Sequence, residues 1–129
     1  MRCALLMLLL LTSVVAACAP TTGALPVELS PGEVSERMRA GAVVVDVREL
    51  DEWMVDGHID GTVHIPLGQL SERAGELNAD DEIIVLCRTG NRSKTALALL
   101  RELGFSDLHE LRGGIRAWMA EGMPVVYGR

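Results

Sequence analysis

The sequence predicts an α/β fold with a central, mostly parallel sheet that is flanked by helices on both faces. Three observations indicate this class. Strand-like apolar runs alternate with helix-like segments along residues 27–126. The runs at 42–47 and 83–86 are apolar almost throughout, as in parallel strands that are covered on both sides. No internal repeat or low-complexity tract interrupts the alternation.

In the first half of the domain, the clearest sequence signal is the start of the first helix. Ser30 suits the N-cap, Pro31 the first helical position and Glu33 the third, and Gly41 follows the helix. The pattern predicts, in order, an edge strand at 27–29, a helix at 31–40, a strand at 42–47 and a short helix at 50–55.

The second half contains the most apolar strand of the chain. Pro66 ends a brief strand, and Gly104 closes the longest predicted helix. The remaining elements are predicted as a strand at 63–65, a short charged helix at 67–77, the strand at 83–86, a helix at 94–103, a strand at 107–111 and a last helix at 115–121.

Length and charge narrow the function classes. The 129 residues allow one domain with its own core, which we assign to residues 27–129. The formal charge of −6 makes nucleic acid an improbable partner, and four aromatic residues provide no surface on which bases could stack. A monomer is the expected state.

The first residues are predicted to be a targeting segment. Residues 1–17 combine an early arginine with an apolar run that is too short for a membrane span and suits a signal peptide. Small residues directly before Cys18 resemble a bacterial lipobox, so we predict lipidation of Cys18 and a tether over 18–26. The protein would then be exported and held on the periplasmic side of the cell envelope, in contact with the membrane through the lipid only. Ordinary cleavage, which would give a soluble periplasmic or secreted protein, is the alternative.

A cysteine directly follows the central strand. Cys87 stands where ligands bind in α/β sheets, and the following helix and two nearby arginines favour its thiolate. The thiolate is a nucleophile, so we predict a reactive residue rather than an inert core cysteine. The loop that follows consists of Arg88, Thr89, Gly90, Asn91, Arg92 and Ser93. If it wraps around the sulfur, its backbone N–H groups form an anion-binding nest.

Four motifs in order resemble the rhodanese-type sulfurtransferases. Besides the loop after Cys87, they are VDVRE at 45–49, GHIDGTVHIP at 57–66 and LRGGIRAW at 111–118. The match covers most of residues 26–126, with Thr62 where the family usually has alanine. The resemblance implies a rhodanese-like fold.

The resemblance also implies an activity that needs neither a metal nor an organic cofactor. Cys87 would take the outer sulfur of thiosulfate or a similar donor and pass it from a persulfide to cyanide or a thiol. Residues 88–92 would form the cradle, with Arg88 and Arg92 contacting oxyanions. Hydrogen-bond donors would be Thr89, Asn91 and Ser93, and Ser93 would also be the N-cap of the next helix.

Three other functions share parts of this pattern. Cysteine phosphatases and arsenate reductases place an arginine six positions after the cysteine, but here that position is Ser93 and Arg92 comes one residue earlier. The shorter loop favours sulfur over phosphate. A non-catalytic binding module would typically lack Cys87. A carrier that hands persulfide sulfur to a partner protein would share every residue and stays open.

The other polar residues are predicted to be structural. Asp46 and Arg48 should form buried or edge contacts that hold the following loop, and Trp53 should belong to the core. His58 and His64 lack a cysteine or paired carboxylates at ligand spacing, so no metal site is predicted there. His58 should satisfy backbone groups of its own loop.

Overall fold

The computed structural model describes residues 27–129, so the predicted signal peptide, Cys18 and tether lie outside the described residues. Within 27–129 the strands are β1 (Val27–Leu29), β2 (Val43–Asp46), β3 (Val63–His64), β4 (Ile83–Leu86) and β5 (Leu108–Leu111). They form one parallel sheet in the order β1-β5-β4-β2-β3. The α/β prediction is therefore confirmed, and the carboxyl end of β4 lies in the middle of one sheet edge.

Helices connect the strands. They are α1 (Pro31–Arg39), α2 (Leu50–Val55), α3 (Leu70–Arg73), α4 (Asn91–Glu102) and α5 (Gly114–Ala120). The predicted start of α1 is confirmed, because the Ser30 hydroxyl accepts from the Glu33 N–H and the Glu33 carboxylate accepts from the Ser30 N–H. No helix within the described range is long and apolar enough to cross a membrane.

Two predicted helices differ from the structure. The segment 67–77 is a 3₁₀ turn, the four-residue α3 and a second 3₁₀ turn, because Gly68 and Gly75 are poor helix formers that break it. The prediction that the helix after Cys87 begins at Lys94 is wrong, since α4 begins three residues earlier at Asn91. The early start follows from Gly90, whose φ of 110° turns the chain directly into the helix.

Side chains of β4 alternate between two apolar cores, which explains its uninterrupted apolar sequence. Val85 and Cys87 belong to the core that α3 and α4 cover. Ile84 and Leu86 belong to the core beneath α1 and α5. Helices therefore cover both faces of the sheet, and Cys87 ends a strand that is rigidly packed from both sides.

The α2 segment is anchored by a buried ion pair. Arg48 is fully buried, pairs with Asp46 through Nη2 and Oδ2 at 2.6 Å, and donates to the Gly57 carbonyl at 2.9 Å. The pair thus links the end of β2 to the chain that leaves α2, which confirms the predicted role of both residues. Trp53 is buried between the rings of His58 and His64, with centroids 3.6 and 4.7 Å away.

Candidate functional site

Cys87 lies at the carboxyl end of β4 as a free thiol with 1% of its surface exposed. Its Sγ atom accepts a hydrogen bond from the Gly90 N–H at 3.1 Å, so the chain after the strand bends back over the sulfur. The positive φ of Gly90 makes this bend possible. The loop therefore bends around the sulfur, which is the condition under which its backbone N–H groups can form an anion-binding nest.

Helix α5 orients the peptides on either side of Arg88. The Cys87 carbonyl accepts from the Ile115 N–H at 2.9 Å, and the Arg88 carbonyl accepts from the Arg116 N–H at 3.3 Å. The C=O and N–H of one peptide point in opposite directions. With their carbonyls held by α5, these two peptides direct the N–H groups of Arg88 and Thr89 away from α5. The Thr89 N–H helps to lower the pKa of the Cys87 thiol.

The contact between α5 and the loop needs a glycine at position 114. A Cβ atom there would stand 2.4 Å from the Cys87 carbonyl oxygen and 2.6 Å from the Arg88 carbonyl carbon. No real contact of that length exists, so any side chain would push the loop away. The double glycine of the last motif is thus part of the sulfur site.

Ser93 lies inside the first turn of α4, and the prediction that it is the N-cap is wrong. Gly90 occupies the N-cap position, and Ser93 is the third helical residue, fully buried. First-turn N–H groups have no partner within the helix. Here the Ser93 N–H is one of the groups that lower the pKa of Cys87.

The Ser93 hydroxyl also faces the sulfur. Its Oγ atom has no partner of regular hydrogen-bond geometry within residues 27–129, yet it is near enough to lower the pKa of Cys87. The hydroxyl is therefore a donor near the sulfur that does not complete a hydrogen bond. Because a hydroxyl rotates about its C–O axis, it can complete the bond to a sulfur that moves or gains a substituent.

These donors decide the ionisation of the cysteine. Burial of Cys87 raises the pKa of its thiol, but the polar donors around it, the Ser93 hydroxyl first and then the N–H groups of Ser93, Gly90 and Thr89, outweigh this effect. The net effect is a pKa below the ordinary value of a thiol. The loop therefore favours the thiolate, which is the reactive form.

Replacing Ser93 with alanine is expected to raise the pKa of Cys87, because one donor is lost and burial remains. At neutral pH the rate at which iodoacetamide alkylates Cys87 should then fall, and its pH profile should move to higher pH. Thr95→Val is the matched control, since it removes an exposed hydroxyl from the same helix. An unchanged profile in Ser93→Ala would mean that the hydroxyl does not act on the sulfur.

The two arginines of the loop have different surroundings. Arg92 forms a two-pronged ion pair with Glu52 of α2, with nitrogen–oxygen distances of 2.6 and 2.7 Å. Arg88 is exposed and lines two adjacent grooves, one against α2 and one against α5. Thr89 and Asn91 are exposed at the loop surface. The substrate-binding roles of the loop side chains stay predictions.

Sequence reasoning missed Glu52. The pair with Arg92 holds the pKa of this carboxyl at about 2, chiefly through the hydrogen bonds from the guanidinium, so Glu52 is ionised at any working pH. Its carboxylate also accepts from the Glu49 N–H at the start of α2. In the sequence, the spacing of Glu49 and Glu52 indicates only the start of a helix. It does not indicate that Glu52 pairs with Arg92, which lies 40 residues further along the chain.

The histidines of the second motif bind backbone groups, as predicted for His58. His58 Nδ1 lies 3.0 Å from the Trp53 carbonyl oxygen, and His64 Nε2 lies 2.7 Å from that of Arg48.

Another group of polar residues lies at the opposite end of the sheet. It consists of Glu82, Asp107 and His109, whose ligand-type atoms lie within 4.8 Å of one another. Arg37 pairs with Glu82 there at 2.6 Å.

Comparisons with known proteins identify the family of this chain. Residues 30–121 match the model of the rhodanese-like domain. The chain is 37% identical over 92 residues to thiosulfate sulfurtransferase GlpE of Ectopseudomonas mendocina, covering 71% of this chain and 84% of that protein. It is 43% identical over 75 residues to the putative sulfur carrier protein YrkF of Bacillus subtilis, covering 58% of this chain but only 40% of that longer protein.

A solved structure agrees in fold. The crystal structure of a rhodanese-related protein from Thermoplasma volcanium superposes with a TM-score of 0.70 at 35% identity. The match covers 78% of this chain and 97% of the other. The sheet and the helices described above are therefore those of this structural family.

Proposed function

Since the chain belongs to the rhodanese-like domain family, we propose that it is a sulfurtransferase that carries sulfane sulfur as a persulfide on Cys87. The donor is thiosulfate or a similar compound, and the acceptor is cyanide or a thiol. One observation carries the proposal: the buried Cys87 sulfur receives the Gly90 N–H at 3.1 Å in a loop whose donors lower the pKa of the thiol.

The first half-reaction charges the cysteine. The Cys87 thiolate attacks the outer sulfur of thiosulfate, a new S–S bond forms, and the old bond breaks with its electron pair leaving on sulfite. The total charge of −3 is unchanged, because the products are a persulfide monoanion and a sulfite dianion. The N–H donors around Cys87 stabilise the persulfide as they do the thiolate.

The second half-reaction restores the thiolate. Cyanide or a thiolate attacks the outer sulfur of the persulfide and leaves as thiocyanate or as a new persulfide. The Ser93 hydroxyl can rotate to donate to either sulfur atom, while the backbone donors stay in place. Neither half-reaction needs a metal or an organic cofactor.

Intact mass measurement tests this cycle. Thiosulfate should add one sulfur atom to the purified protein, and cyanide should remove it. If no adduct forms while Cys87 remains open to alkylation, the loop serves another donor or another anion. Mercaptopyruvate and a generic phosphatase substrate are then the next compounds to test.

Replacing Arg92 with alanine is expected to weaken thiosulfate use about tenfold and acceptor use much less, a difference of about 1.4 kcal/mol in transition-state binding. The guanidinium would contact the sulfonate end of the donor, and its loss leaves Glu52 as an unpaired negative charge. Separate rates of the two half-reactions measure the effect. Arg101→Ala, a change at the far end of α4, is the control. Equal losses in both half-reactions would contradict this role.

A persulfide carrier is the second candidate, favoured by the similarity to a protein named as a putative sulfur carrier. A carrier would form the same Cys87 persulfide from a donor but release its sulfur slowly to cyanide and small thiols. Steady-state turnover with these acceptors separates the two functions. Fast turnover favours the enzyme, and a stable persulfide favours the carrier.

The location is proposed from the sequence alone. Export with a lipid on Cys18 would place the domain at the membrane surface on the periplasmic side, and cleavage without lipidation would release it. Both options concern residues outside 27–129.

A further inference from the structure

Arg92 is the loop cation whose charge acts on the reactive sulfur. Its pKa is raised first by the hydrogen bonds to Glu52 and to a smaller extent by the negative charge of Cys87. Because the influence is mutual, the guanidinium attracts negative charge at the sulfur, including that of a donor. The strength of this attraction depends on how far other groups neutralise the charge of the Arg92 guanidinium.

Glu52 neutralises Arg92 within the site. The carboxylate engages two guanidinium nitrogens at 2.6 and 2.7 Å, and only 18% of the Glu52 side chain and 32% of the Arg92 side chain are exposed. Partial burial limits the screening of such a pair by water and salt. A donor that approaches Cys87 therefore meets a balanced pair rather than a free cation.

The groove beside the loop adds negative charge on the α2 side. This groove of about 290 Å³ is lined by Asp51, Glu52, Val55, Asp56 and Arg88. Asp51 and Asp56 form no ion pair with any described residue. On the α5 side, Arg116 is the further cation near Arg88. The groove thus holds two carboxylates without an ion pair, those of Asp51 and Asp56, beside the guanidinium of Arg88.

We propose that Glu52 is a specificity-determining residue that makes the site discriminate against dianionic sulfur donors, because it balances the charge of Arg92 beside Cys87. The favoured donors have at most one negative charge, as does the persulfide of a thiol that is otherwise uncharged. This inference rests on the proposed function and deepens it. Thiosulfate, a dianion, is then a poor substrate.

Two donors of similar chemistry but different charge test the proposal. Thiosulfate is a dianion, and methanethiosulfonate is a monoanion that reacts in the same way. The Cys87 thiolate takes its outer sulfur, the S–S bond breaks, and methanesulfinate leaves with the electron pair. The charge of −2 is the same before and after. KM and kcat are measured for both donors in the wild type and in Glu52→Gln.

Glu52→Gln keeps an oxygen that accepts from Arg92 but removes the negative charge. At the dielectric constant of water, a unit charge at about 6 Å changes a binding constant roughly threefold per unit of substrate charge, and we take this as the minimum effect. The KM for thiosulfate should therefore fall about tenfold and that for methanethiosulfonate about threefold, with kcat unchanged. Glu36→Gln removes an exposed carboxylate from α1 and should change neither value.

An equal change for both donors, or a higher KM for thiosulfate, would overturn the proposal, since Glu52 would then only hold the loop in place. The alkylation rates of Cys87 with iodoacetate and iodoacetamide give a readout without turnover. Their ratio should rise about threefold in Glu52→Gln, because only iodoacetate is charged. If neither donor forms a persulfide in the wild type, the proposed function fails; if persulfides form and both ratios stay constant, this inference alone fails.

Discussion

Replacing Cys87 with serine is expected to abolish sulfur transfer and leave the fold intact. A serine hydroxyl cannot form a persulfide, and it is not ionised at neutral pH, so both half-reactions lose their nucleophile. The domain should remain folded, because the hydroxyl can accept the Gly90 N–H that now bonds to sulfur. We expect the free energy of unfolding to change by about 1 kcal/mol or less.

Mass spectrometry and thermal unfolding check both parts of this prediction. The variant should show no sulfur adduct after thiosulfate and a melting temperature close to that of the wild type. Thiocyanate production that persisted in Cys87→Ser would refute the assignment of Cys87 as the nucleophile. The absence of an adduct is meaningful only in a folded protein. Thermal unfolding is therefore measured on the same sample.

Replacing Gly114 with alanine should have the largest effect on both stability and activity. The new Cβ atom would lie 2.4 Å from the Cys87 carbonyl oxygen, and the φ of +63° adds strain for any residue with a side chain. Left-handed strain costs about 1–2 kcal/mol and overpacking about 1–3 kcal/mol more, so we expect a loss of about 3 kcal/mol. The melting temperature should fall by more than about 10 °C.

The loss of activity in Gly114→Ala should exceed what unfolding explains. If α5 moves away, the carbonyls of Cys87 and Arg88 are no longer held, and the N–H donors turn from the sulfur. Loss of one such donor typically costs about a hundredfold in rate. The pKa of Cys87 should rise with it, which the pH profile of alkylation measures well below the melting temperature.

Gly122→Ala is the matched control for this change. Gly122 follows the other end of α5 with a φ of +73°, but a Cβ atom there would meet nothing within 4 Å. Gly122→Ala therefore introduces the backbone strain but no steric clash. Its free energy of unfolding should fall by only about 1–2 kcal/mol. If both variants lose the same stability and neither loses activity in its folded form, the contact between α5 and the loop is not what orients the donors.

Local patterns were enough for much of the fold. The apolar run 83–86 predicts β4, because a strand covered on both faces needs no polar side. Ser30, Pro31 and Glu33 predict the start of α1, since a capping box involves only neighbours within one turn. A structural contact between Asp46 and Arg48 also follows, because the two residues are two apart at the end of β2, but its full burial is seen only in the structure.

Local patterns failed where glycine changes the path of the backbone. A glycine at position 90 permits a turn, but nothing local indicates that it is the N-cap of α4, and the sequence favours Ser93 outside a helix that contains it. Serine is the commoner N-cap, so propensity favoured the wrong residue. The helix begins earlier because its free N–H groups find the Cys87 sulfur as acceptor, a partner outside the helix.

The proposed nucleophile and its loop could be recognised in the sequence, because both lie in one short segment after one strand. The electrostatic environment that a sulfur donor would encounter at the site could not be predicted from the sequence. Arg92 and Glu52 are 40 residues apart, and only the packing of α2 beside the loop brings them within 2.7 Å. The same holds for Gly114, whose contact with Cys87 exists because α5 and β4 converge at one sheet edge. Local sequence thus specifies the proposed nucleophile and its donors, and long-range packing specifies the charges around it and the orientation of those donors.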